Sequence, residues 1–218
     1  MLVIAQGIFI YVYLIRPQGP FCWDEAHRSL FSLLLAKHLL SGNLSAVWQL
    51  TNRQIYWPFL HSWFSAPFLI IGGFQYSAAR AMSLIMNAGA GLALYFAARR
   101  LAVTKKEITG LLAVGLFLAS PLFCFFAATA MAESLGIFLS LAAFICYLKG
   151  RGDDSLFGYA LTGFFLGLLY FTKYVYAAFF GLGLFLFWIS LLFGKQSRKV
   201  HKKELKRVWI TAAVFLFF

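Results

Sequence analysis

Acidic side chains are scarce in this chain of 218 residues, which holds seven Asp and Glu against 19 Lys and Arg, and charged residues make up only 12% of it. A water-soluble domain of similar length carries about 25% charged and roughly 45–50% apolar residues. Here the apolar share is 62% and the mean hydropathy is +0.80, which excludes a soluble globule and a disordered chain alike. Cysteine is also rare. Cys22, Cys124 and Cys146 are odd in number and widely spaced, so neither a disulfide framework nor a CxxC metal site is indicated. Aromatic rings are abundant instead: 26 Phe, 10 Tyr and 6 Trp make 19% of the chain, a composition suited to a bilayer and its interfaces.

The formal charge of +12 would suggest nucleic acid as the partner of a soluble protein, but the positions of the basic residues exclude that reading. Arg99, Arg100, Lys105 and Lys106 form one cluster, and Lys195, Arg198, Lys199, Lys202, Lys203, Lys206 and Arg207 another. Both lie in short gaps between long apolar runs. There they read as cytoplasmic loops of a multi-pass protein.

Apolar runs of about 20 residues, shorter where the membrane thins, predict spans near 1–15, 78–98, 108–126, 132–148, 156–172, 174–193 and 208–218 in a single transmembrane domain. The last run is cut off at Phe218 after 11 residues, which reads as the N-terminal part of a larger protein. The run 58–73 is apolar too, yet if it crossed, one basic cluster would fall on the wrong side. It is therefore read as interfacial or re-entrant, as is 26–41. The map puts 16–77, 127–131 and a turn at Lys173 on the outer or lumenal face. Residues 99–107, 149–155 and 194–207 fall on the cytoplasmic face.

With so few carboxylates, each position carries information. Glu107, Asp153, Asp154 and Glu204 sit among cytoplasmic basic residues and read as solvated loop groups. Asp24, Glu25 and Glu133 share the outer face, at the membrane boundary, where a carboxylate is costly and by default points to function. Lys173 interrupts the apolar stretch 155–193 and reads either as a snorkelling lysine or as a compact charge that holds a phosphate.

The order of these features resembles the C-superfamily membrane glycosyltransferases. The first helix is followed by Trp23-Asp24-Glu25-Ala26, then a long outer loop with Tyr56-Trp57-Pro58, a Gly72-Gly73 stop, Ala78-Ala79-Arg80, Glu133 and Phe171-Thr172-Lys173. This is similar to glycosyltransferase family 39, the dolichyl- or polyprenyl-phosphate-mannose protein mannosyltransferase and aminoarabinose transferase type. The chain departs from the usual pattern at Arg28, at Trp57 and in having Glu rather than Asp at 133.

The resemblance implies an all-α transmembrane bundle with a long first outer loop. It also implies transfer of a hexose or pentose from a polyprenyl-phosphate-linked donor to a protein, lipid or glycan acceptor on the outer or lumenal face. A phosphate leaving group needs no general acid, in contrast to glycoside hydrolysis; it needs positive charge and one base for the acceptor. By this likeness Asp24 is the base of an inverting single displacement, with Glu25 beside it, and Glu133 positions the acceptor. Lys173, with Arg80 and Arg53, is expected at the donor phosphate, and His61, Tyr56 and Trp57 along the cavity. A divalent cation, Mg or Mn, remains open, with Asp24 and Glu133 as its ligands. The bilayer expected is a bacterial or archaeal cytoplasmic membrane rather than the endoplasmic reticulum.

Two other classes stay in view. In a secondary transporter or channel the same charges would line an ion pathway, though such charges usually sit at the midplane of inverted repeats. A non-catalytic membrane subunit is the other.

Overall fold

The computed structural model describes residues 1–17, 20–21, 23–54, 58–193 and 198–217, and among these every regular element is a helix. Helix α1 (Leu2–Phe9) runs on as a π-helix (Ile10–Ile15). It is followed by α2 (Trp23–Leu40), α3 (Leu44–Arg53), α4 (Leu60–Ile71), α5 (Tyr76–Leu101), α6 (Lys106–Ala119) and α7 (Pro121–Ala128). Then come α8 (Ala132–Gly152), α9 (Leu156–Thr172), α10 (Tyr174–Phe193) and α11 (Arg198–Phe217). The chain is thus an all-α membrane protein. Helices α5 and α8 are each long and apolar enough to cross a bilayer.

Helices α6 and α7 reach spanning length only together, and they bend by 67° at their junction. The cause is local. Proline disfavours the helical conformation of the residue before it, and Ser120 is extended at φ −75°, ψ 120° ahead of Pro121 at the first position of α7. The apolar run 108–126 is accordingly two helices. Helices α9 and α10 part at Lys173, whose φ of −163° and ψ of 100° end α9.

The chain divides into two compact units, Met1–Phe138 and Leu139–Phe218. In the first, Leu35 and Ala36 of α2, Val47 of α3, Ala66 and Leu69 of α4, Ala79 of α5 and Ala130 form one buried cluster. A second joins Ile10 and Ile15 to Ala127 and Ala128. Asn43 caps α3 by accepting a hydrogen bond from the Ala46 N–H at 3.1 Å. Helix α4 stops at Gly72-Gly73 because Gly73 takes a left-handed φ of +70°, which glycine adopts without strain. Gly72 has its own reason: a Cβ there would lie 2.4 Å from the Ala78 Cβ.

Within the second unit small residues let helices approach. A Cβ on Gly158 would meet Gly150 Cα at 2.5 Å, and one on Gly163 would meet the Thr211 carbonyl oxygen at 2.4 Å. Such close seams suit a bilayer, where apolar burial alone does not drive helices together. At one end of this unit Arg207 binds Glu204 and reaches Asp154 at 2.6 Å, with its guanidinium over the Tyr159 ring. Glu204 is buried, which overturns its reading as a solvated loop carboxylate. Helical spacing places it one turn from Arg207, and that pairing outweighs the pull of the neighbouring lysines toward water.

Candidate active site

Polar side chains enter the core of the first unit from four elements. On α2, Glu25, Arg28, Ser29 and Ser32 recur at helical spacing and continue into Leu35 and Ala36, so the buried stripe is polar at one end and apolar at the other. Helix α4 buries His61, Ser62 and Ser65, and α5 buries Arg80, Ser83 and Asn87. The α7–α8 connection brings Thr129 and, on α8, Glu133.

Glu25 and Arg80 form the centre of this arrangement. They are 6% and 2% exposed, and Arg80 donates from Nε to Oε1 at 2.7 Å and from Nη2 to Oε2 at 3.0 Å. This two-point geometry is the strongest form of a carboxylate–guanidinium contact. Oε1 also accepts from the Ala130 N–H at 2.8 Å, and the guanidinium lies 5.1 Å from the Phe21 ring centre. Glu25 therefore ties the first turn of α2 to α5 and to the connection that leads into α8.

Asp24 precedes Glu25 on the first turn of α2 and is exposed. Glu133, in the first turn of α8, is 7% exposed. Two residues before it, the Met131 carbonyl accepts from the Ser83 hydroxyl at 3.4 Å. The same carbonyl acts on His61, which is 1% exposed with neither ring nitrogen in hydrogen-bond geometry with a described group. Burial first, and then the charge of Arg28, hold the His61 imidazole far below its usual value, at about 3, against an opposing pull from Met131. The ring is therefore neutral at physiological pH. It is suited to hydrogen bonding and poorly suited to acting as a base.

The remaining expected residues fall elsewhere. Arg53 is exposed at the end of α3. Lys173 belongs to the second unit, half-buried, with its ammonium 5.2 Å from the Tyr176 ring centre. Tyr56 and Trp57 lie outside the described residues. Among the described residues no three His, Cys, Asp or Glu side chains gather as a metal cluster. Sequence reasoning missed Arg28 and the serine stripe of α2, although their i, i+3, i+4, i+7 spacing is visible in the chain. The Glu25–Arg80 pairing spans 55 positions and leaves no local signal.

Apolar helices, two of them long enough to span a bilayer, and a polar core in the first unit define a membrane enzyme of the glycosyltransferase kind once the family is known. The family model described as dolichyl-phosphate-mannose-protein mannosyltransferase matches residues 57–218, and the chain belongs to that family. The match takes in α4 to α11, with Arg80, Glu133 and Lys173. Asp24 and Glu25 lie before it. No curated protein and no solved structure matches the chain.

Proposed function

We propose that the protein transfers a sugar from a polyprenyl-phosphate-linked donor to an acceptor hydroxyl, with Asp24 as the base. The observation that carries this reading is the fixed frame around Asp24: the neighbouring Glu25 is held by Arg80 and by the Ala130 N–H. Pre-organisation of this kind is what a base needs to meet its proton at hydrogen-bond distance. In this reading Glu25 and Arg80 are a brace, and Asp24 is left to the substrate.

The proposed displacement is single and inverting. Asp24 takes the proton of the acceptor hydroxyl as its oxygen bonds to the anomeric carbon. The bond from that carbon to the phosphate oxygen breaks, and its electron pair leaves with the lipid phosphate. Glu133 orients the acceptor. The positive charge needed by the departing phosphate is assigned to Lys173, on the strength of its place at a break between apolar helices.

The test is Asp24→Asn in the full-length protein, assayed for transfer from a polyprenyl-phosphate sugar in liposomes. A fall of about 10²–10⁴-fold in turnover with unchanged thermal stability is expected. Near wild-type turnover would remove Asp24 from the mechanism.

A further inference from the structure

We infer that a groove between α1, α5 and α6 retains one anionic phospholipid of the leaflet opposite the Glu25–Arg80 pair, an acyl chain along the groove and the phosphate at the α5–α6 turn. The groove is about 800 Å³ in volume, within the 300–1,000 Å³ or so of ordinary ligand sites. Its walls include Ile4 and Ile8 of α1, Ala88 and Leu92 of α5, and Leu111 and Val114 of α6, and no described lining residue has a charged side chain. Gly7 opens the α1 wall, since a Cβ there would meet nothing within 4 Å.

The groove has the length of one leaflet. On α5 it runs from Leu84 to Tyr95, about 16 Å at roughly 1.5 Å per residue, against about 15 Å for half of a hydrocarbon core about 30 Å thick. One end opens on charge. Ala88, Leu92, Tyr95 and Arg99 recur at helical spacing on α5, and the Arg99 guanidinium lies 5.4 Å from the Tyr95 ring centre. Arg99 also binds Glu107 at 2.5 Å, and the Tyr95 hydroxyl donates to the same carboxylate. Gly110 gives the Tyr95 ring its place, because a Cβ on Gly110 would come within 2.7 Å of it.

In this turn Arg99, Arg100, Lys105 and Lys106 stand against Glu107 alone, and Arg99 already holds that carboxylate. Arg100, Lys105 and Lys106 are exposed. A basic segment at a bilayer surface attracts anionic headgroups, and the apolar groove beside it takes a hydrocarbon chain. Free phosphate satisfies only the turn and a neutral glyceride only the groove; an anionic phospholipid satisfies both. The reacting donor is placed elsewhere. Arg80 and Arg99 are 19 positions apart on α5, about 28 Å along its axis, and α5 is long enough to cross a bilayer. The retained lipid fills the seam through which α1 joins α5 and α6.

The experiment uses the full-length protein, washed free of bulk lipid in detergent, with phosphatidylglycerol, phosphatidylcholine, which has no net charge, dioleoylglycerol, which lacks the phosphate, and undecaprenyl phosphate as probes. Native mass spectrometry reads retention and thermal unfolding reads stabilisation. One phosphatidylglycerol per chain is expected to stay bound and raise the melting temperature, phosphatidylcholine to bind at least about tenfold more weakly, and dioleoylglycerol to do neither. Lys105→Gln with Lys106→Gln is expected to weaken phosphatidylglycerol about 25-fold, at about fivefold per charge. Gly7→Ala, which enters open space, is expected to keep retention, and Gly7→Phe, which fills the groove, to abolish it, with circular dichroism as the check on folding. If Gly7→Phe does not fold, the lysine pair decides alone. Loss of phosphatidylglycerol with the bulk lipid, which would mean an ordinary lipid-facing surface or a groove filled by another part of the chain, would overturn the inference. So would equal retention of phosphatidylcholine, unchanged binding in the lysine variant, or one-for-one displacement by undecaprenyl phosphate. Binding is read without sugar transfer, so it stands or falls separately from Asp24 as base.

Discussion

Glu25→Gln keeps the size of the side chain and removes its charge, which isolates the ionic part of the α2–α5 tie. Glu25 and Arg80 have side chains 7% and 3% exposed, so neither charge can turn to water when its partner is lost. Removing one member of such a pair typically costs about 3–5 kcal/mol. A glutamine oxygen can still accept from Ala130 or from Arg80, which places the expected loss near the lower end, about 3 kcal/mol. For a chain of this length each kcal/mol shifts the melting temperature by about 2–4 °C, giving a fall of about 6–12 °C. The assay is thermal unfolding of the full-length protein in detergent, run as a double-mutant cycle with Arg80→Met. The double variant leaves no unpaired buried charge and is expected to recover most of the loss, with a coupling of about 2 kcal/mol or more. A fall under about 2 °C for Glu25→Gln, or losses that simply add in the double variant, would refute the brace.

Three other outcomes are expected. Gly72→Ala sets a methyl 2.4 Å from the Ala78 Cβ and 3.0 Å from the Phe68 carbonyl oxygen; overpacking of this kind costs about 1–3 kcal/mol, read as a lowered melting temperature. Arg207→Met strands buried Glu204 and is expected to cost about 3–5 kcal/mol, whereas Asp154→Asn, on a side chain 52% exposed, costs under about 1 kcal/mol; equal losses would place the weight of the cluster at Asp154. For His61 the folded value of about 3 lies below the ordinary 6.5, so between those pH values the unfolded chain binds a proton that the folded one refuses. Stability therefore falls as pH drops through that window, by up to about 1.4 kcal/mol per pH unit, and His61→Gln is expected to flatten the slope in acid unfolding.

The fold class was legible because it follows from bulk quantities. Apolar runs and basic clusters need no knowledge of which residue meets which, and they led to an all-helical membrane protein. The 67° break between α6 and α7 was written in Pro121, but hydropathy averages over a window and passes across a single proline. The site was legible in part. Scarcity marked Asp24, Glu25 and Glu133, and Arg80 was marked by its motif, yet the pairing of Glu25 with Arg80 was not, since the two belong to helices far apart in the chain. Ser29, Ser32, Ser62 and Ser65 carried no signal as single residues, because serine is common at surfaces as well. Only the stripe they form with their neighbours on α2 and α4 shows that they turn inward.

Four carboxylates of this chain are each held by an arginine. Glu25 binds Arg80, Glu107 binds Arg99, and Glu204 and Asp154 bind Arg207. A planar guanidinium fits a carboxylate at two points and is more weakly hydrated than an ammonium, so it enters a half-apolar environment at lower cost. Lysine holds its water more tightly and concentrates in the segments flanking the apolar helices. Lys173 differs from these flanking lysines in its place. It stands between two apolar helices, 5.2 Å from an aromatic ring centre, where a strongly hydrated ammonium is expensive to keep. Lys173→Arg retains the charge but spreads it over a plane, and Lys173→Met removes it. If Lys173 serves as a point charge for a departing phosphate, transfer falls in both variants, further in Met, while the melting temperature moves little. Equal activity in all three proteins would assign Lys173 to snorkelling alone.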